Sequence, residues 1–393
     1  MHRPTKLFAA AALGTLLAAA CHNDELLPPP LQPVNPLFAR YVSMGNSITA
    51  GFQSGGINDS TQLQSYAVLL AQRMRAPFSA PLMARPGCPA PFINIFTLTR
   101  ISDTPCALRI PHSPPLSYVN NVAVPGAEVM DAIANLDSAS NANALTTFFL
   151  GTLTQTQMMQ RVRPTFATVW LGNNDVLGAL SASDTNRLTA VAAFQARYAA
   201  ALDSVEGTGA KAVLIGVGIG DTFPLPFWSR GTTYFGAKLQ NQLPPTMTVL
   251  PNCAPPRGDS VLVGFPVGGA LVAAAAAGAP VTLDCADTLQ SLQPAEYGKL
   301  FTTAASYNAA IAAEAASRGW AYIDFNGAMD SVRAVANAVR AFPLLGQPCT
   351  TSPFGTAFSC DGIHPSAATH KLFANKLIEA INAKYGTSLA RIP

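Results

Sequence analysis

Charged residues are scarce. Lys, Arg, Asp and Glu make up 11% of the 393 residues, and the net charge is only +3. No basic block stands out along the chain, which excludes a nucleic-acid-binding face of the usual electrostatic kind. There are only five histidines, and neither a Cys-x-x-Cys spacing nor a histidine cluster offers a zinc site. Internal repeats are absent as well. One long run without charge, Val261 to Leu283, raises the question of a membrane span. Pro266, Pro280 and several glycines interrupt that run and Cys253 and Cys285 flank it, so it reads as an inserted cap or loop.

What is abundant is apolar: 49% of residues, enough for a large core in one or two domains. The 32 prolines and 29 glycines imply many loops. The first twenty residues have the layout of an export signal. His2, Arg3 and Lys6 form a basic start, Leu7 to Ala20 is uncharged, and Ala18-Ala19-Ala20 offers small residues for cleavage. Cys21 follows at once, which points to a bacterial lipoprotein held on a membrane by lipid at Cys21. A plain secreted chain cut after Ala20 is the other reading. Residues 21–36 carry five prolines and read as a stiff linker. Export predicts oxidised cysteines, and six remain once Cys21 is set aside. Six cysteines allow fifteen pairings. Pairing neighbours is the simplest: Cys88 with Cys106, Cys253 with Cys285, and Cys349 with Cys360.

From residue 37 onward, strand and helix patterns alternate. Phe38 to Met44, Tyr118 to Val124, Thr165 to Leu171, Lys211 to Val217 and Ala321 to Phe325 read as strands. Thr61 to Met74 (capped by Asp59 or Ser60), Ala127 to Leu136, Leu145 to Val162, Asn186 to Val205 (capped by Asp184), Thr302 to Arg318 and Ser366 to Tyr385 read as helices. Residues 75–113 and 219–300 read as insertions. The alternation predicts an α/β fold in which a parallel sheet has helices on both faces and ligands bind at the carboxyl ends of the strands.

Ser47 sits at the first of those ends, in Tyr41-Val42-Ser43-Met44-Gly45-Asn46-Ser47-Ile48. A serine at a strand-to-helix bend presents its hydroxyl outward and becomes a nucleophile if a histidine reaches it. Gly-Asn-Ser is also ordinary turn chemistry. His364 supplies the partner. It lies in Asp361-Gly362-Ile363-His364-Pro365, just before the final helix. On a loop, that spacing lets the carboxylate bond Nδ1–H and leaves Nε2 free to take the serine proton. The plain alternative is a turn and a helix cap. His112 sits between prolines, and His370 falls within the final helix. Gly126 follows the second strand and offers a backbone N–H that no side chain shields. Asn173 follows the third, and its amide can donate to a developing oxyanion.

In chain order, these segments resemble the SGNH hydrolase superfamily, the GDSL-type esterases and lipases. Gly45-Asn46-Ser47-Ile48 matches the nucleophile block, and Asn121-Val122-Ala123-Val124-Pro125-Gly126 resembles the glycine block. Gly172-Asn173-Asn174-Asp175 matches the asparagine block, and Asp361-Gly362-Ile363-His364-Pro365 matches the Asp-x-x-His block. The resemblance implies a three-layer α/β/α sandwich of flavodoxin-like type over residues 37–393. It implies Ser47 as nucleophile, His364 as general base and Asp361 as its orienting group. The N–H groups of Ser47 and Gly126, with the Asn173 side chain, would form the oxyanion hole. Asn46 and Ile48 stand where the family name has Asp and Leu.

The expected reaction is hydrolysis of a carboxylic ester through an acyl-enzyme, with no metal or organic cofactor. Phe92, Phe96, Phe223, Pro224, Leu225, Pro226, Phe227 and Trp228 make the loops apolar. That rim can receive an acyl chain or simply pack an uncharged insertion. A carbohydrate O-deacetylase or O-acyltransferase would use the same groups. A non-catalytic surface binding lipoprotein is the reading from another class.

Overall fold

The computed structural model describes residues 32–104, 106, 109–111, 117–134, 148–218, 225–340 and 342–393. The export signal, Cys21, most of the linker, His112, Phe223 and Pro224 lie outside the described residues.

Four parallel strands form the main sheet: β1 (Tyr41–Gly45), β2 (Phe166–Trp170), β3 (Lys211–Ile215) and β4 (Ala321–Ile323), adjacent in that order. Every residue of β1 and β2 is buried, as the unbroken apolar runs require of strands covered on both faces. Beyond β1, residues 120–124 run extended beside it. Ser43 N–H donates to the Asn120 carbonyl, and Val122 and Val124 donate to those of Ser43 and Gly45. This segment makes one parallel bridge, Ser43 to Asn121, rather than the full strand expected over 118–124. Asn120 and Asn121 turn their side chains onto the carbonyls of Tyr41 and Thr49, which replaces part of a ladder.

The chain therefore steps to one side of β1 for residues 120–124 and to the other side for β2. That reversal puts the topological switch point, where open sheets bind ligands, at the end of β1.

The helices include α1 (Tyr66–Met74), α2 (Gln155–Val162), α3 (Asn173–Ala182), α4 (Val191–Glu206), α5 (Phe265–Ala276, which packs on the short strands of the insertion after β3), α6 (Pro294–Ser317) and α7 (Ala367–Tyr385). Helix α1 packs on α7, while α2 and α6 pack on α4. Several boundaries differ from the sequence reading. Asn58 caps a separate short helix, Asp59–Leu63, and the Ser65 hydroxyl then starts α1. Asp184 caps only a 3₁₀ turn, Thr185–Arg187, before α4 begins at Val191. Between Gly126 and residue 134 the only helix is the 3₁₀ turn Met130–Ala132. Helix α6 starts eight residues earlier than the alanine-rich pattern indicated, with Pro294 at its first position and a Gln293–Glu296 capping box.

The insertion after β3 has a small core of its own, with Tyr234, Met247, Val261, Val263 and Leu283 around the Cys253–Cys285 disulfide. Cys88 is bonded to Cys106 and Cys349 to Cys360. The uncharged run forms α5, whose 12 residues span about 18 Å against the roughly 30 Å of a bilayer core. Among the described residues, no helix is long and apolar enough to cross a membrane.

Candidate active site

Gly45 ends β1 with no room for a side chain: a Cβ there would lie 2.9 Å from the Trp170 carbonyl oxygen. Gln155, the first residue of α2 and fully buried, clamps this point. Its Nε2 donates to the Gly45 carbonyl at 2.9 Å and its Oε1 accepts the Gly45 N–H at 3.0 Å. Asn46 then caps the four-residue helix Ser47–Ala50 through a 3.1 Å bond from Ile48 N–H. Ser47 follows directly, 8% exposed.

His364 reaches Ser47 from the loop before α7. The Ser47 hydroxyl lies 2.8 Å from His364 Nε2, and Asp361 Oδ2 lies 2.8 Å from Nδ1. A carboxylate can only accept, so Nδ1 carries the proton and Nε2 is left to accept from serine. The Phe52 ring packs against the imidazole with ring centres 4.9 Å apart.

Asp361 is buried and held by more than the histidine. Oδ1 accepts the backbone N–H groups of Ile363 and His364 and the Ser359 hydroxyl, and Oδ2 also accepts Gly55 N–H at 2.6 Å. Burial alone would raise its pKa. The His364 charge and the hydrogen bonds from His364 and Ile363 outweigh burial and bring the carboxyl down to about 2. Ser54 and Ser359 complete the support: Ser54 N–H donates to Ser359 Oγ and Cys360 N–H to Ser54 Oγ. Ser54, Gly55 and Gln155 have no signal in the sequence. Ser359, two residues before Asp361, reads only as part of a turn.

Ser47 and His364 line a small cavity of about 30 Å³, partly open to solvent. Asn173, Asn174, Leu177 and Leu225 form part of its wall. Gly172 caps α3 at φ 108°, so the asparagine pair forms the first turn of a helix rather than a loop. Asn173 Oδ1 is buried without a hydrogen-bond partner. Asn174 Nδ2 donates to the Ala127 carbonyl at 2.8 Å, tying it to the turn that holds Gly126. Asp175 ties to the same turn through Val129 N–H at 2.9 Å. Burial, and next the Glu128 charge, push the Asp175 carboxyl up to about 7. Gly126 itself is exposed, at φ 84°, and is not among the residues lining the cavity. His370 stands apart from this chemistry. It is buried in α7, accepts the Tyr66 N–H, and is driven by burial to a pKa of about 3.

The family model for GDSL-like lipase/acylhydrolase matches residues 41–377. The chain belongs to this family. It is accordingly a hydrolase of ester bonds.

As a GDSL-type acylhydrolase it replaces the second letter of the motif by Asn46, and the structure shows how the turn survives. Asn46 Oδ1 performs the capping bond, while its Nδ2 is buried without a partner. No curated protein matches the chain. Among solved structures, TesA is similar at 14% identity, covering 88% of this chain and 98% of its own, with a TM-score of 0.37. The acetylxylan esterase Axe2 from Geobacillus stearothermophilus is similar at 12% identity, covering 90% and 96%, with a TM-score of 0.39. At that distance neither bears on the substrate of this acylhydrolase. Three disulfides are compatible with an exported protein.

Proposed function

We propose that the protein hydrolyses carboxylic esters through an acyl-enzyme on Ser47. The observation that carries this reading is the unbroken hydrogen-bonded line from Ser47 Oγ through His364 to Asp361, each link 2.8 Å. Ser47 Oγ attacks the ester carbonyl as Nε2 takes its proton. The ester C–O bond then breaks, and His364 returns the proton to the departing alkoxide. Water repeats the sequence on the acyl-enzyme and frees the acid. Asp361 keeps Nδ1 protonated and stabilises the imidazolium in both halves. A fluorophosphonate probe tests the assignment directly, because it labels an activated serine and should not label Ser47→Ala.

The oxyanion would be met by the N–H groups of Ser47 and Gly126 and by one asparagine amide. Asn173 is the residue to which the sequence pointed. The bond from Asn174 to Ala127, next to Gly126, favours Asn174 as the amide on that side of the cavity. Loss of a single oxyanion donor lowers kcat roughly 100- to 1,000-fold. We expect that drop in Asn174→Ala and a smaller one in Asn173→Ala, measured on one aryl ester. The reverse order would return the role to Asn173.

The reading includes an export signal over residues 1–20, a lipid anchor on Cys21 and a linker to residue 36, ahead of the hydrolase domain. Metabolic labelling with a fatty acid should mark the wild-type chain and leave Cys21→Ala unmarked. Equal label in both would remove the anchor.

A further inference from the structure

A second cavity, of about 870 Å³ and open in part to solvent, is lined by Asp361 of the catalytic loop. One wall is a two-stranded ribbon, Phe92–Asn94 with Thr99–Arg100, from the first insertion. Arg100 fixes that ribbon to the body of the protein. Its guanidinium donates to the carbonyls of Gly55 and Ala90 and lies over the Phe92 ring at 3.7 Å. The opposite wall is α5, from the second insertion. Pro266, Gly269, Ala270, Ala273 and Ala276 line the cavity at helical spacing, so this wall is a shallow trough. Phe96, Phe227 and Phe265 close its sides.

Among the described residues, the only charged one lining the trough is Asp361, and five donors already occupy its carboxylate. A polar ligand would find no free partner on that carboxylate. An apolar chain needs none.

The trough is a neighbour of the serine cavity, and two short segments lie between them. Leu225 and Ile363 line the cavity around Ser47, while Phe227 and Asp361 line the trough. Phe227 N–H donates to the Gly362 carbonyl at 3.1 Å, which locks the two segments together. The chemistry decides which part of an ester lies on this side. The departing alkoxide must take its proton from His364 Nε2, so the alcohol leaves beside the imidazole. The asparagine pair and the Gly126 turn lie on the α3 side of the cavity.

We infer that the trough between the ribbon and α5 binds the alcohol portion of the substrate, an unbranched apolar chain. This rests on the acyl-enzyme reading above. From Pro266 to Ala276, α5 offers a wall about 15 Å long.

Two ester series test it: acetates of straight-chain alcohols from ethyl to decyl, and ethyl esters of acids from acetic to decanoic. In the wild type, kcat/KM should rise along the alcohol series by up to about fourfold per methylene until the trough is filled. Ala273→Trp, which puts an indole on the exposed face of α5, should collapse the decyl-to-ethyl ratio of the alcohol series and not that of the acid series. A flat alcohol series in the wild type, or a ratio that survives in Ala273→Trp, overturns the assignment, as does collapse of the acid series instead. Ala270→Leu narrows the same wall with less bulk and serves if the tryptophan variant does not fold.

Calorimetric binding of 1-decanol to Ser47→Ala reads the trough without catalysis and should be lost in the Ser47→Ala, Ala273→Trp double variant. Decanol binding that depends on Ala273, with no ester turned over by the wild type, would fail the acyl-enzyme reading and leave the trough's ligand standing. Ester turnover with no effect at Ala273 would fail the trough alone.

Discussion

Replacing Ser47 with alanine lowers kcat for ester hydrolysis by about 10,000-fold or more and abolishes fluorophosphonate labelling. The size follows from what the hydroxyl does. It is the only atom that joins Ser47 to His364, and without it no covalent acyl group can form. What remains is water attack assisted by the oxyanion donors and by binding, which in other triads retains a few thousandfold over solution. The fold should tolerate the change. The cap of the short helix comes from Asn46 and the clamp on Gly45 from Gln155, and neither uses the Ser47 side chain. Alanine is also small and helix-compatible at that position. A Ser47→Ala protein with an unaltered melting temperature and undiminished turnover would end the acyl-enzyme mechanism.

Asp361→Asn should lower kcat by about 10,000-fold, by analogy with the same change in other triads. The cause is the donor inventory. Both carboxylate oxygens accept from N–H groups, so an amide must turn its NH₂ toward donors on one side or the other. Facing Nδ1, it forces the imidazole into the tautomer whose Nε2 carries the proton and cannot accept from Ser47. Facing Oδ1's partners, it leaves the N–H groups of Ile363 and His364 unpaired, and a buried unpaired donor costs about 1–3 kcal/mol.

The same residue has a signature in acid. Its carboxyl stands at about 2 in the fold against 3.8 in the unfolded chain. Between those values the unfolded chain binds the proton and the folded one does not. The stability that Asp361 contributes is therefore complete above about pH 4 and is lost as pH falls through about 2. The wild-type melting temperature should drop more steeply over that window than that of Asp361→Asn. Parallel acid limbs in the two proteins would mean that Asp361 is not the group being titrated.

How far the sequence reaches is clear from particular residues. The sheet was legible because β2 is an unbroken apolar run, as burial on both faces demands. The pattern over residues 118–124 suits a full strand. Two asparagines spend their side chains on carbonyls of β1 and of the short helix after it instead, 79 and 72 residues away in the chain. The sequence pattern puts the start of α6 too far along because alanine marks a helix interior more strongly than proline marks its start.

By itself the sequence determined the chemistry that is local. The bend at Ser47, the Asp361–His364 spacing and the glycines at strand ends depend on neighbours a few residues apart, and propensity and turn geometry act at that range. Tertiary structure alone decided the rest. Gly55 holds Asp361 across 306 residues and Gln155 clamps the turn before Ser47 across 110. Asn174 faces the Gly126 turn, and two insertions far apart in the chain close one trough beside Asp361. Such contacts are set by how packed elements meet, and no periodicity or spacing along the chain records that.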